Sequence, residues 1–482
     1  MSLLLLVNAR QRHECRVAIL EEGVLLDYFY ERVSGRPHQV GNIYRAKVVS
    51  LERSLQAAFV DIGASRNAFL PRGAVRPPEG AGRRAPLNRL LRKGKTVLVQ
   101  ITREPMAGKG AVVTTYISIP GRFLVLTPYE PGVRVSRKIA DEKQRGRLAE
   151  IVKSIVPENY GFVVRTAAAD RRKADLARDF QYIMRLYKRI EKKAASASAP
   201  SLIYSESSLA IRIVRDFLSA STKEILVDDP DVHKQMREFM EAVMPSMVRR
   251  LRLYDKPQPL FETHEIEEQV EALSSLRVNL PSGGWITIEQ TEGMTAVDVN
   301  TGSTRGDDSE TVALTTNIEA ADALVRQLRL RDIGGLVVVD LIDMRSTNNR
   351  KKVERRLRAA LRQHKERFTL LPINRFGVLV LSRQRRRETV TAATGVQCPT
   401  CAGAGIILSP QYLAARALRK LHSFLAESPR PAVRLVLPPA VAESLFNEYR
   451  DVLVESEERF NCAVHTAIDT ALSIDHFQIL PE

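Results

Sequence analysis

Four consecutive aliphatic residues, Leu336–Val339, stand between a pair of glycines and an aspartate, Asp340. A short apolar run of this kind is typical of a strand buried on both faces of a sheet. Before it, Glu310–Arg331 repeats apolar residues at helical spacing, and Thr295–Val299 has the composition of a strand. A strand, a helix and a second strand in this order predict a layered α/β domain, which we place from residue 279 onward.

The first 120 residues predict short strands instead of this alternation. Three apolar runs at the start of the chain indicate a meander, over Leu3–Val7, Arg16–Leu20 and Val24–Tyr30. Five further runs fit a small closed barrel such as an OB-fold. These runs are Ile43–Leu51, Gln56–Ile62, Asn67–Leu70, Thr96–Ile101 and Ala111–Ile119.

The middle of the chain predicts a third unit. Strands at Phe123–Leu126 and Gly161–Arg165 precede a charged helical pattern over Ala168–Lys193. The low-complexity stretch Lys192–Ser201 then indicates a flexible connection. After it we expect a helix, a strand and another helix that begins near Asp231, and a small mixed domain beyond Ser409.

The charge of the chain limits its partners. Lys and Arg number 73 against 56 Asp and Glu, which gives a net charge of +17 and favours a polyanionic partner.

No segment approaches the roughly 18 apolar residues of a membrane-spanning helix, and the run Ser2–Val7 is too short for a signal peptide. Four cysteines in 482 residues cannot form a disulfide framework. We therefore expect a cytoplasmic protein that binds nucleic acid.

Two aspartates at strand ends form the candidate catalytic site. Asp298 precedes the loop Thr301–Asp308, and Asp340 ends the aliphatic run. Carboxylates on neighbouring strands can hold magnesium, which would lower the pKa of a bound water and offset charge at a phosphate. Asn300 faces the same side of its strand as Asp298 and is expected to assist.

A simpler alternative stays open at this point. Aspartates at strand ends also cap turns and helices. Asp343 is better explained as structural, because its odd offset from Asp340 points it to the other face. If water attacks the phosphate while the ribose 2′-hydroxyl stays unused, the products carry 5′-phosphate and 3′-hydroxyl ends.

The segment Cys398–Gly405 resembles half of a zinc knuckle. Structural zinc takes four ligands, and this segment offers Cys398 and Cys401. The simplest completion is the same loop from a second protomer of a symmetric dimer. A redox pair or a loop without metal are the alternatives, and Cys15 and Cys462 are expected to be buried apolar residues.

Candidate RNA contacts lie in the first half of the chain. Phe59 and Phe69 on the predicted barrel could stack on bases, and Lys109 could bind a phosphate. Arg165 and Thr166 offer a guanidinium beside a hydroxyl, which suits a terminal phosphate. Core packing of the phenylalanines and an ordinary strand-end arginine are the competing explanations.

These motifs, in this order, resemble the ribonuclease E/G family over essentially the whole chain. The resemblance rests on Gly41–Arg45, Ala57–Gly63, Arg165–Ala167, Asp298–Gly302, Arg326–Arg331, Gly334–Met344 and Cys398–Cys401. Two departures are that Leu341 stands where the family often has Phe, and that the loop Thr301–Asp308 is a residue shorter than in ribonuclease E. The absence of a long extension after Glu482 and the segment Pro439–Leu445 favour the ribonuclease G branch.

The resemblance implies a particular domain order. It predicts an RNase H-like domain in two parts (1–38 and 206–278), separated by an OB-fold (39–120) and a 5′-phosphate sensor (121–205). A deoxyribonuclease-I-like catalytic domain (279–394), a zinc link (395–408) and a small C-terminal α/β domain (409–482) would follow.

The resemblance also implies a function. The implied function is that of a magnesium-dependent endoribonuclease that would cut single-stranded, preferably 5′-monophosphorylated RNA in rRNA and tRNA processing and mRNA decay. Magnesium would be held by Asp298 and Asp340 with Asn300 assisting, RNA by Phe59, Phe69 and Lys109, and the 5′-phosphate by Arg165 and Thr166. Zinc on Cys398 and Cys401 would join a homodimer, with a tetramer as the alternative.

Two other functions stay open from the residues. A non-catalytic RNA-binding protein would keep the barrel and the basic surface, but it would not need the intact set Asp298, Asn300 and Asp340. A metal-dependent deoxyribonuclease or phosphatase would use the carboxylates, but it leaves the aromatic barrel residues and the phosphate sensor unexplained.

Overall fold

The structure is a computed structural model that describes residues 2–32, 39–77, 85–105, 109–362, 366–384 and 389–482. It divides into two units, Met1–Ala393 and Thr394–Glu482. Among the described residues, four sheets lie in the first unit and one in the second. The chain is therefore a multidomain protein of helices and sheets, as the sequence predicts.

The predicted meander at the start of the chain is confirmed. Its strands are β1 (Leu3–Asn8), β2 (Glu14–Glu21) and β3 (Val24–Arg32), which pair antiparallel in sequence order. Leu5 and Val7 belong to one buried cluster and Leu6 to another. Both faces of this sheet are therefore covered.

The second group of strands closes into a barrel-like sheet. Its elements are β4 (Ile43–Glu52), β5 (Ala57–Asp61), β6 (Ala68–Pro71), the short helix α1 (Leu87–Leu90), β7 (Thr96–Arg103) and β8 (Val112–Thr114). The sheet closes because β4 pairs with both β5 and β7. Alternate residues such as Val48, Val60 and Leu70 fill the interior.

A third sheet follows the barrel. It contains β9 (Ile119–Pro120), β10 (Leu124–Thr127), β11 (Gly132–Val135) and β12 (Gly161–Val164), with helices α2 (Glu142–Lys153) and α3 (Lys173–Ser196). The single strand expected over Ala111–Ile119 is wrong, because Ile119 lies in this sheet and not in the barrel. The barrel strand β8 ends at Thr114, and the Tyr116 N–H donates a hydrogen bond to the Thr114 hydroxyl (3.1 Å).

The flexible connection expected over Lys192–Ser201 is also wrong. Helix α3 continues to Ser196, in keeping with the high helix propensity of the alanines and lysines there. Ser201 then begins β13 (Ser201–Tyr204), which pairs antiparallel with β4 of the barrel.

The next segment returns to the first sheet. It contains α4 (Leu209–Phe217), β14 (Thr222–Val227), α5 (Pro230–Val243), β15 (Leu251–Leu253), α6 (Leu260–Thr263) and α7 (Glu267–Glu271). Strand β14 pairs parallel with β1, so the barrel and the third sheet interrupt this sheet in sequence. The predicted start of α5 is confirmed, because the Asp229 carboxylate accepts from the Val232 N–H (2.8 Å).

The predicted α/β alternation after residue 279 is confirmed. Its elements are β16 (Arg277–Asn279), β17 (Trp285–Gln290), β18 (Met294–Asn300), α8 (Ser309–Leu330), β19 (Gly335–Asp340), α9 (Thr347–Arg362), β20 (Phe368–Leu370), β21 (Val378–Arg383) and α10 (Val390–Thr394). The sheet order is β16-β17-β18-β19-β21-β20, in which β18 and β19 run parallel. In sequence β19 follows α8 directly, so β18, α8 and β19 form a parallel crossover unit.

One expectation for this sheet is wrong. Val337 and Val339 are buried against α8 and α9, but Leu336 is 43% exposed and Val338 is only half-buried. Both helices contact the same face of the sheet, so the aliphatic run is buried on one face only. The other face carries the even-numbered residues of β18 and β19, and it is open in the part of the first unit that the structure describes, where these residues are exposed or half-buried.

The second unit contains the last sheet. Its elements are α11 (Pro410–Glu427), β22 (Ala432–Leu437), α12 (Pro439–Glu448), α13 (Arg450–Phe460), β23 (Ala463–Ile468) and β24 (Gln478–Pro481). Strand β22 lies at the centre, parallel to β23 and antiparallel to β24. These elements mix helices and strands, as the sequence predicts for the residues beyond Ser409.

Candidate active site

Asp298 and Asp340 lie side by side on the open face of the sheet that contains β18 and β19. They are register partners on the parallel strands β18 and β19, at the end of the sheet where both strands finish. Both side chains are exposed, whereas their neighbours Val297 and Val339 are each 2% exposed. Because adjacent strands are about 4.8 Å apart, the two carboxylates can approach a single ion.

Asn300 lies on the same face as Asp298, as the two-residue offset predicts. Its side-chain amide donates a hydrogen bond to Oδ2 of Asp298 (2.7 Å). This contact holds one of the two carboxylate oxygens of Asp298. The amide is thus a positioning group for Asp298 in the structure as it stands.

The loop after Asn300 begins at a position that only glycine fits. Gly302 has φ +52°, and a Cβ there would lie 2.4 Å from the Gly283 carbonyl and 2.7 Å from the Trp285 ring. Trp285 is the register partner of Asn300 on β17, and the Arg277 guanidinium stacks over its ring at 4.0 Å. The tryptophan therefore supports the loop where it leaves the carboxylates.

The loop after Asp340 is held from helix α8. Asn317 is fully buried, its amide donates to the Ile342 carbonyl (2.8 Å), and its oxygen accepts from the Ile342 N–H (3.0 Å). Glu310 accepts from the N–H groups of Arg345 (2.9 Å) and Ser346 (3.1 Å). The Arg345 N–H is the main cause that lowers the pKa of Glu310. Sequence reasoning missed both residues, although an asparagine on the apolar face of a helix was an available signal.

The donor set suits a hard cation. Asp343 is exposed in the loop beyond Asp340, where a Cβ added to Gly377 would lie 3.2 Å from its carboxylate. No group of three or more His, Cys, Asp or Glu side chains among the described residues could hold a metal. Two carboxylates with an amide beside them fit magnesium, which takes one or two protein carboxylates and fills its remaining positions with water and phosphate oxygens.

The barrel carries an outward-facing aromatic pair. Phe59 and Phe69 are register partners on β5 and β6, with ring centroids 5.8 Å apart at 64°. Both rings are half-buried, while their neighbours Val60 and Leu70 are fully buried inside the barrel. Packing in the barrel core, the alternative left open above, therefore does not account for either ring.

Lys109 is exposed beside the same strand. The chain passes close to β6 here, since a Cβ on Gly110 would lie 2.0 Å from the Asn67 carbonyl. Two residues beyond Lys109, the Ala111 carbonyl accepts from the Phe69 N–H (2.7 Å). Lys109 therefore lies two residues before the segment that pairs with Phe69 of β6.

Arg165 and Thr166 follow β12 in the third sheet, and both already have partners. The Arg165 guanidinium donates to the Gly121 carbonyl (2.7 Å) and to Asp216 (2.5 Å). Burial opposes ionisation of Asp216, but Arg215 and Arg165 outweigh it and lower its pKa. The Thr166 hydroxyl lies 3.2 Å from that of Ser136. A guanidinium has five N–H groups, so Arg165 keeps donors beyond these two bonds.

Cys398 and Cys401 lie in a tight turn of the second unit. The Ala402 N–H donates to the Cys398 carbonyl and the Ala404 N–H to the Cys401 carbonyl, both at 2.8 Å. The Cys401 and Thr400 N–H groups also donate to the Cys398 sulfur and lower the pKa of that thiol. Cys15 and Cys462 are buried, as predicted, and burial raises the pKa of Cys15 to about 12. The turn thus carries two thiols three residues apart that could ligate a metal ion.

The fold and these sites define a multidomain α/β protein with a barrel-like sheet and an open carboxylate pair. The model of the ribonuclease E/G family matches residues 118–386, and that of the RNase E/G thioredoxin-like domain matches residues 397–482. The chain belongs to the ribonuclease E/G family, as its motifs indicate. No helix among the described residues is long and apolar enough to cross a membrane.

Curated relatives agree with this assignment. Ribonuclease E of Haemophilus influenzae is 37% identical over 98% of this chain and 51% of its own length. Ribonuclease E of Escherichia coli K12 is 38% identical over 94% of this chain and 44% of its own length. Ribonuclease G of the same strain is 33% identical over 99% of both chains. The chain therefore spans about half of the ribonuclease E relatives and nearly all of the ribonuclease G relatives.

Proposed function

We propose that this protein is a magnesium-dependent endoribonuclease that cuts single-stranded RNA and leaves 5′-phosphate and 3′-hydroxyl ends. The observation that carries the proposal is the register pairing of Asp298 with Asp340, with Asn300 bonded to the first of them. The relatives are named ribonucleases, and the net charge of +17 suits a polyanionic substrate.

Asp298 and Asp340 would hold the magnesium ion. Bound there, the ion would supply Lewis acidity toward a phosphate oxygen and make a coordinated water more acidic. Asn300 keeps the Asp298 carboxylate turned to the open face, and Asn317 fixes the chain after Asp340. The open face gives a phosphodiester access to both carboxylates. Water adds to phosphorus as the bond to the ribose O3′ breaks, which gives the two product ends.

Two further regions would bind the RNA. Phe59 and Phe69 would stack on bases while Lys109 binds a phosphate, and Arg165 with Thr166 would bind a 5′-monophosphate. Preference for 5′-monophosphorylated RNA and a role in rRNA and tRNA processing and mRNA decay in the cytoplasm follow from the family resemblance.

The domain order proposed from the sequence accompanies this function. The first sheet is the candidate RNase H-like domain, the barrel the OB-fold, the third sheet the sensor, and the sheet with Asp298 the deoxyribonuclease-I-like domain. Cys398 and Cys401 would bind zinc together with the same pair of a second protomer. The result would be a homodimer, or a tetramer of two such dimers.

A cleavage assay tests the main proposal. A 5′-monophosphorylated single-stranded RNA is incubated with the protein in magnesium or in EDTA, and the product ends are analysed. We expect cleavage in magnesium alone, with 5′-phosphate and 3′-hydroxyl ends. A 2′,3′-cyclic phosphate product or cleavage in EDTA would contradict the mechanism. RNA binding without cleavage would favour the non-catalytic protein, and equal cleavage of DNA the deoxyribonuclease.

Replacing the barrel aromatics should weaken RNA binding. Stacking of one base on an aromatic ring is worth about 1–3 kcal/mol, so we expect Phe59→Ala and Phe69→Ala each to raise the Kd about 5- to 150-fold. Fluorescence anisotropy with a single-stranded RNA measures this effect. Leu55→Ala is the control, because Leu55 is a 58% exposed apolar residue in the turn between β4 and β5. An equal effect of all three variants would argue against stacking.

Changes at Arg165 and Thr166 should remove the preference for a 5′-monophosphate. Lysine cannot reproduce the guanidinium fork, so Arg165→Lys and Thr166→Val should each lower the ratio of 5′-monophosphate to 5′-triphosphate cleavage rates by about tenfold. Cleavage of 5′-hydroxyl RNA should stay unchanged. Arg134→Gln is the control, since Arg134 lies on the same sheet and pairs with Glu130 (2.6 Å). An unchanged ratio of the two cleavage rates in all variants would contradict a role of Arg165 and Thr166 in binding the 5′-phosphate.

A further inference from the structure

Phe376 lies in the turn before β21, in the sheet that carries Asp298 and Asp340, and the proposed function does not use it. Its side chain is 82% exposed, compared with 52% for Tyr412 and 40% for Phe446. It does not belong to the buried cluster beneath the sheet, although Leu379 three residues later does. A single exposed apolar residue is ordinary on a protein surface. A role for Phe376 in binding must therefore be argued from the turn that holds it and from its position in the fold.

The turn that carries Phe376 is fixed by Asn374. The Asn374 side-chain oxygen accepts from the N–H groups of Phe376 (2.9 Å) and Val378 (3.0 Å). The Asn374 N–H donates to the Val378 carbonyl (3.0 Å), and Gly377 adopts φ +77°. An asparagine that bonds the backbone two residues ahead makes a defined turn. The Phe376 backbone is therefore held with its ring in solvent.

The same turn lies beside the carboxylates. Val378 is the register partner of Asp340 on the antiparallel strand β21, so the residues just before Val378 lie at the end of the sheet that carries Asp340. At Gly377 a Cβ would lie 3.2 Å from the Asp343 carboxylate and 3.3 Å from the Leu341 carbonyl. The turn therefore contacts the segment that leaves Asp340.

We propose that Phe376 forms a base-stacking subsite for the nucleotide that adjoins the cleaved phosphodiester. The ring offers a flat apolar face that any of the four bases can cover, so the subsite would position RNA without reading its sequence. It is separate from the Phe59 and Phe69 pair, which lies on the barrel. The inference rests on the proposed function, because it assumes that RNA occupies the open face at Asp298 and Asp340.

Cleavage of a short RNA with one cut site tests the subsite. We expect Phe376→Ala to lower kcat/KM about 5- to 150-fold, the range for loss of one stacked base, and Phe376→Tyr to keep the wild-type value. Leu371→Ala, at a 53% exposed leucine near the same turn, should have little effect. With wild type, an RNA that is abasic next to the cut should be cleaved with a kcat/KM lowered by the same factor. With Phe376→Ala, the abasic RNA should give no further decrease in kcat/KM, because the two changes remove the same contact.

A binding measurement separates this inference from the proposed function. RNA with 2-aminopurine next to the cut is mixed with Asp298→Asn, and stacking on Phe376 should quench its fluorescence. The double variant Asp298→Asn with Phe376→Ala should not quench it. Failure of wild type to cleave would overturn the proposed function, whereas the quenching measurement tests the subsite without requiring cleavage. Equal quenching by both proteins, multiplied losses with the abasic RNA, or a changed oligomeric state in Phe376→Ala would overturn the subsite.

Discussion

Asp298→Asn and Asp340→Asn should each lower kcat by about a thousandfold or more, because bound magnesium contributes several kcal/mol to charge stabilisation and every 1.4 kcal/mol is about tenfold in rate. Asparagine keeps the size of aspartate but not its charge. With a single carboxylate left at the register pair, the cation would lose half of its anionic ligands. We expect the double variant to be no slower than either single variant, because the two residues act through one ion.

Single-turnover cleavage of the same RNA at saturating magnesium measures this effect. The matched control is Asp322→Asn, which removes a carboxylate of α8 that pairs with Arg356 on the surface (2.7 Å). An exposed ion pair contributes little to stability, so this variant should keep its activity within about twofold. Retention of a tenth of the wild-type rate by Asp298→Asn or Asp340→Asn would contradict the assignment.

Removal of either thiol of the zinc turn should abolish zinc binding and separate the protomers. Tetrahedral zinc needs four ligands, so two ligands per chain predict about half a zinc equivalent per protomer in the wild type. Serine does not supply a thiolate, so Cys398→Ser and Cys401→Ser should retain almost no zinc. Elemental analysis gives the zinc content, and analytical ultracentrifugation gives the mass in solution.

Cys462→Ala is the control for the zinc turn. Cys462 is 3% exposed in the core of the second unit and has no role in the proposed site. It should leave both the zinc content and the dimer unchanged. One full zinc equivalent in the wild type, or an intact dimer in both serine variants, would contradict a zinc site shared between protomers.

The sequence predicts the placement of Asp298 and Asp340 at the ends of neighbouring strands because the relevant signals are local. A strand that ends in Asp340, and an offset of two between Asp298 and Asn300, already place these groups on one side of a sheet. Periodicity also predicts α8 and its neighbouring strands. The open face was not predicted, because Leu336 and Val338 have the same apolar character as their buried neighbours.

Contacts distant in sequence explain the other differences. Strand β13 pairs with β4, which lies more than 150 residues earlier in the chain. The mixed composition of its four residues does not predict this pairing. Asn317 and Glu310 position the loop after Asp340 by bonding its backbone, and the sequence does not show which backbone groups these side chains reach. The partnership of Arg165 with Asp216 likewise depends on how α4 lies against the third sheet.

A change of metal preference tests most directly whether Asp298 and Asp340 hold the cation. Thiolates are softer ligands than carboxylates and disfavour magnesium relative to softer divalent ions. We predict that Asp298→Cys and Asp340→Cys are inactive in magnesium and regain cleavage when manganese or cadmium is supplied, whereas the asparagine variants regain none. If the cysteine variants cut RNA in magnesium as fast as wild type, the two aspartates do not bind the catalytic ion.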